Sequence, residues 1–169
     1  KLYPQYQFVV AGVFWLDRSI YTPYLQGSDV RYICDETYEL LAVSEAAVVT
    51  SGTATLETAL LGVPQIVCYR RDWASMLIGK AFLKIPYVSL VNLVLHREAV
   101  RELLQHHMNM KNATAELEAI LPGGSKHERM MADYAQLQEL IGHKHPSDKF
   151  AARMVELLRQ DRQNCTTQS

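Results

Sequence analysis

The feature that most constrains the fold is an alternation between short, β-branched apolar runs and longer stretches with helical periodicity. Strands are predicted at five places: residues 7–11, 29–34, 47–50, 65–69 and 87–90. Most of these runs lack the regular polar alternation of a half-exposed strand, which favours parallel strands that helices cover on both faces. The alternation therefore predicts a doubly wound α/β sheet.

Helix signals fill the spaces between the strands and most of the second half of the chain. Capping residues predict three helices in the first half: one after Asp35, one over 54–61 after Thr53, and one over 73–83 after Asp72. Four more helices are predicted beyond residue 95, where we find no strand signal: 96–106, 111–121, 128–141 and 147–160.

These patterns predict three regions along the chain. A Rossmann-like core is expected over residues 1–95. Helices that pack on the same domain are expected over 96–160, and a flexible tail over 161–169.

Composition excludes several classes of protein. The 169 residues are 49% hydrophobic, which is enough for a core. The chain has 17 Lys plus Arg and 18 Asp plus Glu, so its charges nearly balance. This balance disfavours a nucleic-acid partner. The three cysteines are widely spaced, which predicts reduced thiols. We find no signal peptide, membrane span or initiator methionine, so we expect a soluble piece cut from a longer protein.

The segment from Thr50 to Glu57 carries the strongest functional signal. A predicted strand ends at Thr50, a turn of small residues follows, and a helix begins near Thr53. Ligands of open parallel sheets bind beyond the carboxyl ends of the strands, and the start of a helix attracts anions such as a diphosphate. Gly52 allows close approach, and the Glu57 carboxylate could accept hydrogen bonds from the cis-diol of a ribose.

A plain structural interpretation remains open, in which Thr53 is only a cap and Glu57 only an acid near the helix start. Neither a GxxxxGK[ST] loop nor a GxGxxG fingerprint occurs, which disfavours mononucleotide kinases and ATPases. The first predicted strand leads into Gly12 and a bulky Val13-Phe14-Trp15 stretch rather than a glycine-rich turn.

Two ordered sequence blocks resemble the lipid-A-disaccharide synthase family. The first runs from Thr50 through SGTATLE to Arg70, and the second combines Tyr87-Val88-Ser89-Leu90-Val91-Asn92-Leu93 with Arg97-Glu98. The resemblance extends over about residues 6–158. Two positions depart from the family pattern: Val91 replaces a usual proline, and the stretch after Gly12 is bulkier.

The resemblance implies the C-terminal, UDP-binding half of an inverting glycosyltransferase with two Rossmann domains, the GT-B fold. The whole enzyme would transfer diacylglucosamine from UDP-2,3-diacylglucosamine to 2,3-diacylglucosamine 1-phosphate in lipid A biosynthesis, and release UDP. No catalytic residue is expected in this chain, because the family's acid and base belong to the N-terminal half, which also binds the lipid acceptor. The chain alone is expected to be inactive and to need no cofactor.

The resemblance also implies a role for each site residue. Ser51, Gly52 and Thr53 would face the UDP diphosphate, and Glu57 would bind the ribose hydroxyls. Asn92 would lie near the donor phosphate or sugar, with a turn or cap residue as the alternative.

Arg70 would neutralise diphosphate charge, with a surface salt bridge as its alternative. Arg97 and Glu98 are expected to form pairs on the helix surface, and the six histidines to be solvated rather than metal ligands.

The expected location is the cytoplasmic face of a Gram-negative inner membrane, with peripheral membrane contact. A homodimer stays an option. The alternatives are a UDP-sugar epimerase of the same architecture and a non-enzymatic interaction domain.

Overall fold

The computed structural model describes residues 3–50, 52–70 and 87–142. Ser51, the helix predicted after Asp72, the helix predicted over 147–160 and the expected tail over 161–169 lie outside these residues.

Five strands occur in the described part of the chain: β1 Val9–Gly12, β2 Arg31–Cys34, β3 Ala47–Val49, β4 Gln65–Tyr69 and β5 Arg101–Leu104. They form two sheets, one of β1 and β2 and one with the order β3-β4-β5. Every strand pair is parallel. The first four predicted strands are therefore confirmed, with ends that differ by one or two residues.

In the same described ranges, six α-helices connect and flank these strands: α1 Thr22–Leu25, α2 Thr37–Ala42, α3 Thr53–Leu60, α4 Leu90–Leu95, α5 Met110–Ile120 and α6 His127–Gly142. Short 3₁₀ turns lie at Arg18–Ile20 and Gln105–His107. Within the described ranges, none of the helices is long and apolar enough to span a membrane. The predicted fold class, a Rossmann-like arrangement of parallel strands and helices, is confirmed.

The fifth predicted strand, at 87–90, is wrong, and so is the helix predicted over 96–106. Ser89 is the N-cap of α4, where its hydroxyl oxygen accepts a hydrogen bond from the Asn92 N–H at 3.3 Å. His96 ends α4 with a left-handed φ of 53°. The fifth strand follows it as β5 and pairs with β4. The apolar residues of 96–106 fit both the helical and the strand periodicity. Pairing with β4 decides that residues 101–104 form a strand.

Two predicted caps are also corrected. Asp35 has a left-handed φ of 59° and its Oδ1 accepts from the Phe14 N–H at 3.2 Å, so Glu36 is the N-cap of α2. Asp35 thus ties together the loops that follow β1 and β2. Gly52, rather than Thr53, is the N-cap of α3, and no side chain caps that helix.

The core is centred on β4. Ile66 and Val67 point to opposite faces of the sheet, and both are fully buried. Helices α3, α4 and α6 pack on one another, while α5 packs on β4 and β5. Every fully enclosed member of this core lies between Ala59 and Leu137. This packing fixes the loops at the carboxyl ends of β3 and β4.

The small sheet has its own local packing around Tyr32. The Tyr32 ring contacts Tyr21, with ring centroids 5.1 Å apart, and the Arg18 guanidinium lies 5.2 Å from its centre. A Cβ at Gly12 would overlap this ring, so β1 requires glycine there. The single glycine after the first strand therefore has a packing role.

Candidate functional site

The candidate site lies where β3 and β4 end on the same edge of the sheet. Residue Thr50 follows β3 and leads to Gly52 and α3, while Arg70 directly follows β4. Because the two strands are parallel and adjacent, these loops project from one edge. The fold thus brings Gly52, Thr53, Glu57 and Arg70 to the same side of the molecule.

Gly52 opens the N-terminus of α3 to solvent. Its φ of 140° and ψ of −162° belong to a region that side chains rarely adopt, and no atom lies within 4 Å of where a Cβ would be. Gly52 and Thr53 are both exposed. The Thr55 hydroxyl donates to the Gly52 carbonyl oxygen at 2.8 Å, which holds the turn in place. The uncapped first N–H groups of α3 therefore face outward, with the positive end of the helix dipole.

Glu57 lies one turn further along α3 and is half-buried. The Tyr38 side chain of α2 lies close to the Glu57 carboxylate, and interaction with that carboxylate raises the pKa of Tyr38. Tyr38 lies in the helix predicted after Asp35. No sequence spacing could have found this contact, since it depends on how α2 packs beside α3.

Arg70 is exposed at the end of β4. Among the described residues none forms an ion pair with it, so the salt-bridge alternative receives no support from this part of the chain. With no ion-pair partner among the described residues, the guanidinium could meet an anion at the same edge as Gly52.

Asn92 makes its polar contacts within the protein. It is fully buried, its Nδ2 donates to the Val100 carbonyl at 2.8 Å and to Glu102 at 3.0 Å, and its Oδ1 accepts from the N–H groups of Ala99 and Val100. The amide group has two donor hydrogens and two lone pairs, and all are used within the protein. The geometry thus favours the structural alternative for Asn92 over a contact with the donor.

Glu102 completes the Asn92 network. Its carboxylate also accepts from the N–H groups of Val88 and Ser89 at 2.9 to 3.0 Å, which ties the start of α4 to β5. The sequence interpretation gave this acid no structural role. Its function here is to hold the chain that precedes α4.

The second block's charged pair also has structural partners. Arg97 forms an ion pair with Asp133 of α6 at 2.6 Å, and Glu98 pairs with Arg101 at 2.9 Å. Glu98 thus forms an exposed pair as expected, whereas Arg97 pairs with a buried carboxylate, and neither residue lies in a helix. Across the ranges that the structure describes, no group of three or more His, Cys, Asp and Glu side chains is arranged to hold a metal ion.

Comparison with known proteins decides the family. The model of the lipid-A-disaccharide synthetase family matches residues 3–155. The chain belongs to the lipid-A-disaccharide synthase family. A lipid-A-disaccharide synthase of Anaeromyxobacter dehalogenans is 32% identical over 160 residues, which cover 93% of this chain. The Solibacter usitatus lipid-A-disaccharide synthase is 38% identical over 132 residues, or 78% of the chain.

The matched segment is only part of these family members. It corresponds to 42% of the Anaeromyxobacter protein and 35% of the Solibacter protein. A third relative, the Syntrophus aciditrophicus lipid-A-disaccharide synthase, is 36% identical over 77% of this chain and 34% of its own length. More than half of each family member thus lies outside the match.

Proposed function

We propose that this chain is the nucleotide-sugar-binding part of a lipid-A-disaccharide synthase. The family match carries this proposal, and the open N-terminus of α3 beside Arg70 agrees with it. The whole protein would transfer diacylglucosamine from UDP-2,3-diacylglucosamine to 2,3-diacylglucosamine 1-phosphate, with inversion at the sugar carbon and release of UDP. The family match favours this transferase over a UDP-sugar epimerase or an interaction domain.

The diphosphate of the donor would bind at the start of α3. The exposed N–H groups of Gly52 and Thr53 would donate to its oxygens, as would the hydroxyls of Ser51 and Thr53. Arg70 would approach from the end of β4 and pair with the same charge. Asn92 is left out of this site because its amide is fully used elsewhere.

The ribose would bind at Glu57, whose carboxylate can accept hydrogen bonds from both hydroxyls of the cis-diol. The Tyr38 side chain lies close to this carboxylate, where its hydroxyl can act as a hydrogen-bond donor. The spacing of one helical turn between Thr53 and Glu57 separates the two ends of the proposed nucleotide site.

In the transfer step, negative charge grows on the leaving diphosphate. The N–H groups of α3 and Arg70 would stabilise this charge. They would speed the reaction because they stabilise it more in the transition state than in the bound donor. The catalytic acid and base and the acceptor site would belong to the rest of the protein. We therefore propose that this chain alone binds UDP weakly and is inactive.

The substrates of this reaction are lipids, so we propose a peripheral location at the cytoplasmic face of the inner membrane. The rest of the protein would bind the acceptor lipid there. We also propose that the whole protein can form a homodimer.

Calorimetric titration of the chain with UDP tests the site. Glu57→Ala is expected to weaken UDP binding about 10- to 100-fold, because it removes a charged acceptor of two hydrogen bonds. Glu98→Ala serves as the control, since it removes an acid that lies outside the proposed site and pairs with Arg101. ADP should bind less well than UDP to the unchanged chain.

Equal UDP affinity in Glu57→Ala and Glu98→Ala would contradict the ribose assignment. If UDP fails to bind both the chain and a longer protein that includes the preceding segment, the donor site itself is wrong.

A further inference from the structure

Three of the described residues other than glycine have a left-handed backbone: Asp35, His96 and Gln105. A side chain crowds the backbone in this conformation, so glycine is ordinarily favoured there. Two of the three have a local structural role, because the Asp35 carboxylate accepts from the Phe14 N–H and His96 ends a helix. Gln105, with a φ of 52°, instead directly follows the strand β5. Backbone strain of this kind is concentrated at functional sites.

The strand register places Gln105 at the edge of the sheet that carries the candidate site. Strand β5 is parallel to β4, and Leu104 is the partner of Tyr69. The residues that follow them are Gln105 and Arg70, so the two chains leave the sheet next to each other, about 5 Å apart at the spacing of neighbouring strands. Gln105 therefore lies beside the arginine that is proposed to pair with the diphosphate.

The order of the donor's parts indicates which of them lies near Gln105. The proposed site holds the ribose at Glu57 and the diphosphate at Gly52 and Arg70, which leaves the sugar to be placed. Strand β4 lies between β3 and β5, so the end of β5 is the next part of this edge beyond Arg70. A sugar attached to the diphosphate can extend to this position.

The side chain of Gln105 has the chemistry that a sugar hydroxyl requires. Its amide offers both donor hydrogens and an acceptor oxygen, and a hydroxyl likewise donates and accepts. Gln105 is half-buried, whereas the neighbouring His106 and His107 are exposed. Partial burial limits the rotamers of Gln105 and so lowers the entropy that a bound ligand would cost it.

We propose that Gln105 is a specificity residue of the donor site, whose side-chain amide hydrogen-bonds a hydroxyl of the donor's sugar. This assignment rests on the proposed function, because it requires the diphosphate at Gly52 and Arg70. Glycine would fit the left-handed backbone of residue 105 better than glutamine, but it would supply no amide group.

Replacement by glycine tests the side chain without straining the backbone. Gln105→Gly is expected to fold, because glycine adopts a φ of 52° readily. Calorimetric titration of this chain with UDP and with UDP-N-acetylglucosamine, a water-soluble nucleotide sugar with free sugar hydroxyls, measures the two affinities. The variant should bind UDP-N-acetylglucosamine about 10-fold more weakly than the unchanged chain does, and should bind UDP equally well.

His96→Gly is the matched control, since it also replaces a left-handed residue but lies at the end of α4. It should change neither affinity. Equal weakening of both ligands by Gln105→Gly, as a purely structural role predicts, would overturn the proposal, and so would an unchanged affinity for UDP-N-acetylglucosamine.

The two ligands also separate this proposal from the donor site on which it rests. If UDP binds neither this chain nor the longer protein that includes the preceding segment, the donor site is wrong and the role of Gln105 fails with it. If UDP binds and Gln105→Gly weakens both ligands alike or neither of them, the donor site stands and only the role of Gln105 is wrong.

Discussion

At the scale of single residues, the structure distinguishes polar side chains that face solvent from polar side chains whose hydrogen bonds are all made within the protein. Glu57 and Arg70 keep polar atoms accessible at the edge where β3 and β4 end. All polar atoms of the Asn92 amide are instead hydrogen-bonded within the protein. A residue type alone does not distinguish these cases. Burial and hydrogen-bond partners do, and both come from distant parts of the chain.

Tyr134 on α6 is a residue whose hydroxyl should affect stability only at high pH. It is 1% exposed, and its hydroxyl lies beside Gln65 without a hydrogen bond of ordinary geometry. Burial raises the pKa of Tyr134 above the value near 10 of an unfolded chain. The folded state therefore holds this proton more tightly, and the associated stability is present below pH 10 and is lost as the pH rises above 10.

Tyr134→Phe is expected to change the free energy of unfolding at pH 7 by no more than about 1 kcal/mol, because the hydroxyl lacks a partner. Above pH 10 the variant should lose less stability than the unchanged chain. Urea unfolding at a series of pH values measures this difference. Tyr24→Phe, at an 83% exposed tyrosine, is the control and should follow the unchanged chain throughout. Identical pH profiles for Tyr134→Phe and the unchanged chain would contradict the argument.

At the scale of elements, the α4–β5 connection shows how one side chain can determine secondary structure. The Asn92 amide accepts hydrogen bonds from the N–H groups of Ala99 and Val100 and donates one to the Val100 carbonyl. These bonds hold the turn through which the chain leaves α4 and enters β5. Helical continuation through this segment would break all of these bonds. The fifth strand thus depends on a polar residue in the preceding helix.

Asn92→Ala is expected to lower the free energy of unfolding by about 3 to 5 kcal/mol, because several buried polar groups lose their partners. Asn112→Ala, which removes one hydrogen bond to the His107 carbonyl, should cost about 1 kcal/mol. Urea unfolding followed by circular dichroism measures both. Unchanged stability of Asn92→Ala together with weaker UDP binding would instead support the donor contact suggested by the family resemblance.

At the scale of the whole molecule, stability is unevenly distributed. The fully enclosed core lies between residues 59 and 137, while nearly all residues of the small sheet of β1 and β2 are half-buried or exposed. A two-stranded sheet has little stability of its own. The part before β3 should therefore open more readily than the rest.

Native-state hydrogen exchange should show this difference directly. We expect amides of β1 and β2 to exchange about 100-fold faster than those of β4 under the same conditions, since they open in a smaller unit. Limited proteolysis should likewise cut within residues 3–46 before it cuts the sheet of β3, β4 and β5. Equal exchange in β1 and β4 would mean that both sheets open as one cooperative unit.

The sequence by itself determined the fold class, four of the strands and the position of the candidate turn. Those features depend on local patterns: apolar runs such as 65–69, and small residues such as Gly52 between a strand and a helix. Tertiary structure alone decided that residues 101–104 form a strand rather than a helix, that Asn92 is buried, and that Tyr38 contacts Glu57. The physical reason is that each of these outcomes depends on partners from elsewhere in the chain, which local periodicity does not encode.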